Sequence, residues 1–312
     1  MLPSAATRSE FLACRQLPLD RWEPGLRAIV ARHHLPVTPA RRFERGENPV
    51  FELLGGQIVK LVPPFWATIA DREAQCLNHL QTSGVPVPRL LGCGEQDGWH
   101  YVIQERSPGR NLEDLWPTLL PAERVDVARK MGEILAMLHR VPTGGLRPGG
   151  VVWSQLVQAR INGWMGRKDV QRLPAALRDS GVPYIETYGF SAPSGEETVL
   201  HGDLAPENCL ASVGEGGRVR VEAIIDFGNA MLGPPRFDLT APSVVMGKGD
   251  PTLVQALLDG YGAPPLTVSV RRGLMAYTLI HPMGDVADCL EIIPGLADAT
   301  SWDVVAEAFW PV

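Results

Sequence analysis

The sequence predicts an α+β fold with two lobes, a small β-rich lobe followed by a larger and mostly helical one. Three observations lead to this prediction. Segments typical of strands dominate the first third, helical periodicity dominates the second half, and Ser107, Pro108 and Gly109 break the chain between them. We therefore expect an N-terminal lobe at residues 1–106 and a C-terminal lobe at residues 107–312.

The elements of the N-terminal lobe follow from local patterns. Residues 27–34 fit a helix, and residues 49–62 fit two strands joined at Gly55 and Gly56, a two-residue hairpin signal. Apolar residues at helical spacing predict a helix over 70–82. Residues 100–105 then fit a short strand that ends the lobe.

The C-terminal lobe is predicted to be helical except near its middle. Pro121 opens a helix with one apolar face, as expected for proline in a first turn. Further segments follow in chain order: a loop at 141–150, helix to about residue 178, short strands within 197–225 with a turn at 214–217, and helices from Pro251 onward.

Composition narrows the classes of function. A net charge of −6 argues against a general nucleic-acid binder, which usually carries a basic surplus. The five cysteines are scattered without a CxxC pair, which argues against a zinc site or a disulfide framework. Neither a run of 18 apolar residues nor a signal-peptide core occurs, so we expect no membrane span. Scattered cysteines fit reduced thiols in the cytoplasm, and we expect a monomer.

The strongest chemical signal is the segment HGDLAPEN at residues 201–208, followed by DFG at residues 226–228. Asn208 lies five residues after Asp203, the spacing of the catalytic and metal motifs of protein kinases. A carboxylate at Asp203 can hold the attacking hydroxyl. Asn208 and Asp226 offer the oxygen ligands that Mg²⁺ prefers, and His201 suits a structural anchor of the loop.

The segments HGDLAPEN and IIDFGNAMLGPPRFDLT closely resemble the aminoglycoside phosphotransferase and choline-kinase family, which has Gly where protein kinases have Arg, as Gly202 does here. The stretches GENPVFEL, VPVPRLLGCGE, GEILAMLHRVP, LMAYTLIH and EAFWP resemble hygromycin B phosphotransferases. The resemblance implies a bilobal protein-kinase-like fold. It also implies transfer of the γ-phosphoryl group of ATP or GTP, with Mg²⁺, to a small-molecule hydroxyl.

The resemblance also assigns nucleotide contacts in the N-terminal lobe. Lys60 lies in an apolar strand, and in kinase-like folds such a lysine contacts the phosphates and pairs with a helix glutamate. Glu73 is the expected partner, with Asp71 as the weaker alternative. Residues 45–48 are a candidate phosphate-covering loop.

Four further residues complete the predicted nucleotide site. The segment after the strand at 100–105 resembles the hinge between kinase lobes, where backbone groups meet the adenine edge. We assign Gln104, Glu105 and Arg106 to this hinge and Ile225, directly before Asp226, to the same nucleotide site.

The acceptor is the least determined part of the prediction. No Lys or Arg follows Arg272, whereas six acids do. Three of them, Asp285, Asp288 and Glu291, have helical spacing and could bind the ammonium groups of a cationic acceptor; the alternative is a solvated acidic surface. An aminoglycoside kinase conferring antibiotic resistance is therefore expected. A kinase of an endogenous amino alcohol, sugar or amino acid is the alternative, and a pseudokinase scaffold is disfavoured by the retained motifs.

Overall fold

The computed structural model describes residues 1–35, 39–150, 152–189, 197–214, 218–282, 284–293 and 295–311. The chain divides into two compact units. The first unit comprises Met1–Pro108 together with Ile225–Ala230, and the second comprises Gly109–Ile224 and Met231–Val312. The sequence placed the segment 225–230 in the C-terminal lobe, but in the structure it groups with the first unit because Asp226 and Gly228 bond to Lys60 and Arg72.

The first unit is built on an antiparallel sheet with strand order β1-β2-β3-β5-β4. The expected β2–β3 hairpin is observed, and Gly56 adopts a positive φ of 76° at its turn. The helix expected at 27–34 begins earlier, at Glu23, with Pro24 in its first turn. The elements are α1 (Arg8–Cys14), α2 (Glu23–Arg32), β1 (Pro39–Phe43), β2 (Val50–Leu53), β3 (Gln57–Val62), α3 (Ala67–Leu80), β4 (Leu90–Gln96) and β5 (Trp99–Glu105).

Both faces of β3 are covered, which determines how the lysine on this strand is buried. Val59 and Leu61 point to one face, where they join an aromatic core that includes Trp22 and Trp99. Because side chains alternate along a strand, Lys60 points to the opposite face. That face is packed against α3, so the lysine side chain is only 8% exposed.

The second unit is mostly helical, as predicted. Its strands form two small groups, β6-β8-β9 and β7-β10. Its elements are β6 (Arg110–Asn111), α4 (Leu112–Leu115), α5 (Pro121–His139), α6 (Trp153–Asn162), α7 (Lys168–Arg172), α8 (Ala175–Tyr188), β7 (Thr198–Leu200), β8 (Cys209–Val213), β9 (Val219–Ile224), β10 (Met231–Gly233), α9 (Thr240–Pro242), α10 (Pro251–Tyr261), α11 (Val268–Ile280), α12 (Val286–Ile292) and α13 (Trp302–Phe309).

The predicted elements of this unit are largely confirmed. The helix from Pro121, the strands within 197–225 and the helices after Pro251 are all present. The helical stretch expected to end near residue 178 continues to Tyr188 as α6, α7 and α8. Part of the turn expected at 214–217 lies outside the described residues, since 215–217 are not among them. Within the described part of the chain, no helix is both long and apolar enough to span a membrane.

Helices α5 and α10 pack closely through glycines. A Cβ atom placed on Gly132 would lie 2.1 Å from the carbonyl oxygen of Leu257. One placed on Gly260 would lie 1.9 Å from the carbonyl oxygen of Arg129. Real Cβ atoms do not approach backbone so closely, so any larger residue would push the two helices apart. This contact lies near the middle of α5, and His139 is the last residue of the same helix.

Candidate active site

Lys60 binds two carboxylates within the first unit. Its Nζ lies 2.8 Å from Oε2 of Glu73 on α3 and 2.7 Å from Oδ1 of Asp226. Glu73 is therefore the helix partner expected from the sequence. The weaker alternative, Asp71, lies 4.0 Å from His100 and is exposed. The contact with Asp226 joins residues 166 positions apart and was not predicted.

Burial makes this ion triad energetically demanding. Desolvation alone would lower the pKa of Lys60, but the charges of Asp226 and Glu73 outweigh it and raise that pKa, so the lysine is cationic at neutral pH. Burial raises the pKa of Glu73; Lys60 opposes this effect and Asp226 adds to it. A buried cation between two carboxylates is costly to remove and can be drawn to a triphosphate that supplies equivalent negative charge.

The segment around Asp226 has a specific backbone geometry. Asp226 adopts a left-handed conformation with φ 66° and ψ 67°, and its Oδ1 accepts the N–H of Gly228 at 3.3 Å. Gly228 is packed so closely that a Cβ atom there would lie 2.7 Å from Cγ2 of Ile69 on α3. The Asp226 side chain remains 44% exposed, so it can bind a further ligand. Ile225, directly before it, is half-buried.

The loop carrying Asp203 follows β7 in the second unit and is held by a buried aspartate. Asp238 accepts the backbone N–H of His201 at 2.7 Å and that of Gly202 at 2.8 Å. Gly202 has a positive φ of 78°, a conformation that glycine adopts without strain. His201 Nδ1 accepts the N–H of Asp203 at 3.3 Å, a bond consistent with the anchoring role expected for this histidine.

Asp238 is itself oriented by a histidine from α5. His139 Nε2 lies 3.1 Å from Oδ2 of Asp238, and His139 Nδ1 lies 2.9 Å from the hydroxyl of Tyr261. Burial would raise the pKa of Asp238, but hydrogen bonding to His139 and Gly202 and the nearby His201 outweigh it and hold that pKa below its usual range. Asp238 is therefore an ionised anchor at neutral pH.

Sequence reasoning assigned no role to Asp238 or His139, although both lie in stretches quoted for the family resemblance. The signal that could have identified Asp238 is an acid between the apolar residues Phe237 and Leu239, since a charged residue there needs partners if it is buried. The identity of those partners depends on tertiary contacts 36 and 37 residues away, which periodicity does not reveal.

Asn208 is oriented by the loop that carries Asp203. Its Nδ2 donates to the carbonyl oxygen of Asp203 at 2.8 Å and lies 3.5 Å from Oδ2 of the same residue. The amide nitrogen is thus directed to the loop, and Oδ1 is the atom of this side chain that can ligate a metal ion. An amide oxygen at Asn208 and a carboxylate at Asp226 are hard donors, which fit Mg²⁺.

The residues assigned to the hinge already use two of their backbone N–H groups, which were expected to be free for the adenine edge. Gln104 lies in β5, where it pairs with β3 and β4. The N–H of Glu105 donates to the carbonyl of Arg89, and that of Arg106 donates to the carbonyl of Gly56, both at 2.9 Å. These two donors are already used, so they are not available to a nucleotide base in this conformation. The candidate phosphate loop at 45–48 connects β1 to β2, as expected.

The three acids proposed for the acceptor lie together, and a cation already binds them. Arg172 at the end of α7 lies 2.6 Å from Asp285, 2.6 Å from Asp288 and 3.8 Å from Glu291. Asp285 caps α12, and its Oδ1 accepts the N–H of Asp288 at 3.0 Å. The expected shared face is therefore present. One guanidinium offsets part of the negative charge, so the field at this cluster is weaker than the sequence alone suggested.

Comparison with known proteins identifies relatives by sequence and a similar fold among solved structures. The aminoglycoside 3'-phosphotransferase of Streptomyces fradiae is 26% identical over 232 residues, which cover 69% of this chain and 84% of that protein. The hygromycin-B 4-O-kinase of Escherichia coli is 24% identical over 180 residues, covering 54% and 50%. The solved GDP complex of wild-type aminoglycoside 2'-phosphotransferase-IIIa has a TM-score of 0.67 at 18% identity and covers 85% of this chain and 95% of that chain.

The fold is therefore that of protein-kinase-like phosphotransferases, which confirms the predicted fold class. The model of the phosphotransferase enzyme family matches residues 40–275. The chain belongs to this family and is a kinase. The resemblance to hygromycin kinases is also found, although the similarity to the Streptomyces fradiae protein extends over more of the chain.

Proposed function

We propose that this protein transfers the γ-phosphoryl group of ATP or GTP to a hydroxyl group of an aminoglycoside. The observation that carries the proposal is the buried Lys60 bound by both Glu73 and Asp226. A lysine in this setting is a fixed cation suited to triphosphate oxygens. Aminoglycosides are the proposed acceptors because two relatives described above are named as kinases of such compounds.

Asp203 acts on the acceptor. Its backbone carbonyl is bound by Asn208, and the loop around it is held by Asp238, so the backbone from which its carboxylate projects is fixed. A fixed carboxylate aligns the attacking hydroxyl and receives its proton at Oδ as the new P–O bond forms. Transfer of the phosphoryl group to the hydroxyl leaves a nucleoside diphosphate.

Lys60 binds the α- and β-phosphates, and Glu73 orients Lys60. Asn208 and Asp226 would hold Mg²⁺ through oxygen atoms, and the bound ion would supply positive charge against the triphosphate. Gln104, Glu105, Arg106 and Ile225 contribute to the nucleotide site. Since two hinge N–H groups are already used, we propose that hinge carbonyl groups make the base contacts at these positions.

A second candidate function is phosphorylation of an endogenous small metabolite. The specific observation in its favour is the Arg172 contact with Asp285, Asp288 and Glu291. This contact reduces the advantage of a polycationic acceptor. We keep these three acids as proposed acceptor ligands, because Glu291 is 73% exposed and the cluster retains net negative charge.

The test of the proposed function combines an acceptor panel with a site variant. Purified protein is incubated with ATP or GTP, Mg²⁺ and each aminoglycoside or metabolite, and nucleoside diphosphate release is measured. Asp203→Asn should reduce kcat by about 10²–10⁴-fold on the accepted substrate while nucleotide still binds. Glu207→Gln, an exposed change in the same loop, is the matched control and should retain the parent rate.

Two outcomes would contradict the proposal. If Asp203→Asn turns over within threefold of the parent rate, Asp203 is not the residue that aligns the acceptor hydroxyl and receives its proton. Activity confined to metabolites, with no aminoglycoside accepted, would favour the second candidate.

A further inference from the structure

Helix α3 contacts the Asp226–Gly228 segment through three residues on one face. Ile69, Arg72 and Glu73 are spaced i, i+3 and i+4, so their side chains lie side by side on the helix. Ile69 packs against Gly228, and Glu73 reaches Asp226 through Lys60. Arg72 makes the remaining contact: its Nη1 donates to the carbonyl oxygen of Gly228 at 2.7 Å.

The surroundings of Arg72 indicate that this bond has a specific role. The side chain is half-buried, and its Nε is shielded from solvent without a hydrogen-bond partner among the described residues. Burial lowers the pKa of Arg72. Burying a guanidinium costs free energy, and the bond to the carbonyl of Gly228 offsets part of that cost.

We infer that Arg72 is a positioning residue for the metal ligand Asp226, acting through the carbonyl of Gly228. The inference rests on the proposed function, because it assigns Asp226 to the metal ion. The Asp226 backbone is left-handed, and its carboxylate bonds to the N–H of Gly228. A bond that fixes the carbonyl of Gly228 therefore also restricts the direction of the Asp226 carboxylate. Glu73 positions Lys60 by a direct ion pair, and Arg72 positions Asp226 through the carbonyl of Gly228.

The test uses Arg72→Met, which keeps most of the side-chain volume and removes every donor. Mn²⁺ binding to the protein with a non-hydrolysable ATP analogue is measured by electron paramagnetic resonance. The Mg²⁺ concentration for half-maximal turnover is measured in parallel. Losing a hydrogen bond from a charged donor corresponds to a change of about 10-fold or more in an equilibrium constant. The Mn²⁺ concentration for half-maximal binding and the Mg²⁺ concentration for half-maximal turnover should therefore each rise by about that factor. Binding of the analogue without metal should not change.

Two further variants separate positioning from general destabilisation. Arg72→Lys retains an N–H donor and should restore metal affinity to within about threefold of the parent. Arg72→Gln is too short to reach the carbonyl and should show the same loss of metal affinity. It takes the place of Arg72→Met in the test if that variant does not fold. Asp71→Asn, an exposed change at the neighbouring position of α3, is the matched control.

The outcomes distinguish this inference from the proposed function. If folded Arg72→Met or Arg72→Gln binds Mn²⁺ as tightly as the parent, the inference is wrong and the proposed function stands. A lower melting temperature with unchanged metal dependence overturns it in the same way, because it reveals a structural role only. If the parent shows neither metal-dependent nucleotide binding nor turnover, the proposed function fails and the inference with it.

Discussion

Asp238→Asn tests how the catalytic loop is held. The carboxylate accepts the N–H groups of His201 and Gly202 and bonds to His139, at distances of 2.7, 2.8 and 3.1 Å. An asparagine has the same shape but only one acceptor oxygen. Its NH₂ group must face at least one donor that the carboxylate now satisfies. Because Asp238 is fully buried, water cannot replace the lost acceptor.

The magnitude follows from the number of bonds affected. Hydrogen bonds to a charged group contribute about 1.5–3 kcal/mol each, so losing one or two should lower the free energy of unfolding by ~3 kcal/mol. If the same free energy positions Asp203, kcat should fall by up to about 100-fold, since each ~1.4 kcal/mol corresponds to a factor of ten. The KM for nucleotide should change little, because Asp238 contacts the loop and not Lys60.

Urea unfolding and steady-state kinetics measure the two effects separately. Asp259→Asn on α10, a partly exposed aspartate that pairs with Arg129, is the control and should change neither. The reasoning is refuted if Asp238→Asn is as stable as the parent. It is also refuted if the folded variant keeps kcat within threefold, since Asp203 would then not depend on this anchor.

Two further predictions concern stability. Burial lowers the pKa of His281 to about 4, so the folded state keeps it neutral while the unfolded chain binds a proton below about 6.5. Its contribution to the free energy of unfolding is therefore complete above pH 6.5 and should fall by ~2 kcal/mol at pH 5. Urea unfolding at both pH values should show that His281→Phe removes this loss. The exposed change His34→Asn, the control, should leave the loss in place. Gly132→Ala would place Cβ against the carbonyl of Leu257 and should lower the free energy of unfolding by about 3 kcal/mol. Gly166→Ala, the control, has open space around it and should change that free energy very little. Equal unfolding midpoints for the two variants would contradict the packing argument.

The parts that were predictable from the sequence depend on short spacing. The loop at 201–208 and the DFG segment carry their chemistry in consecutive residues, and the Lys60–Glu73 contact joins a strand to the next helix, 13 residues apart. Strand and helix periodicity predicted the hairpin of the first unit and helix α5 for the same reason, because both are local.

The parts that were missed depend on distant contacts. Arg72 bonds to a residue 156 positions away, and Arg172 pairs with acids 113 to 119 positions away. The absence of bases after Arg272 suggested an unbalanced acidic surface, but Arg172 comes from α7, outside that stretch. A count of charges along the chain does not reveal which of them the fold brings together. The sequence therefore predicted the local Lys60–Glu73 contact better than the charges that surround the candidate site.

The most direct test of the central claim is mass spectrometry of the acceptor. An aminoglycoside accepted in the panel is incubated with the parent protein, Mg²⁺ and ATP or GTP, and the product is isolated. We expect the mass of one added phosphoryl group, located on a hydroxyl by fragmentation, with one nucleoside diphosphate formed per product. Asp203→Asn should form the same product about 10²–10⁴-fold more slowly. Nucleotide hydrolysis to inorganic phosphate, with every aminoglycoside recovered unmodified, would contradict the account.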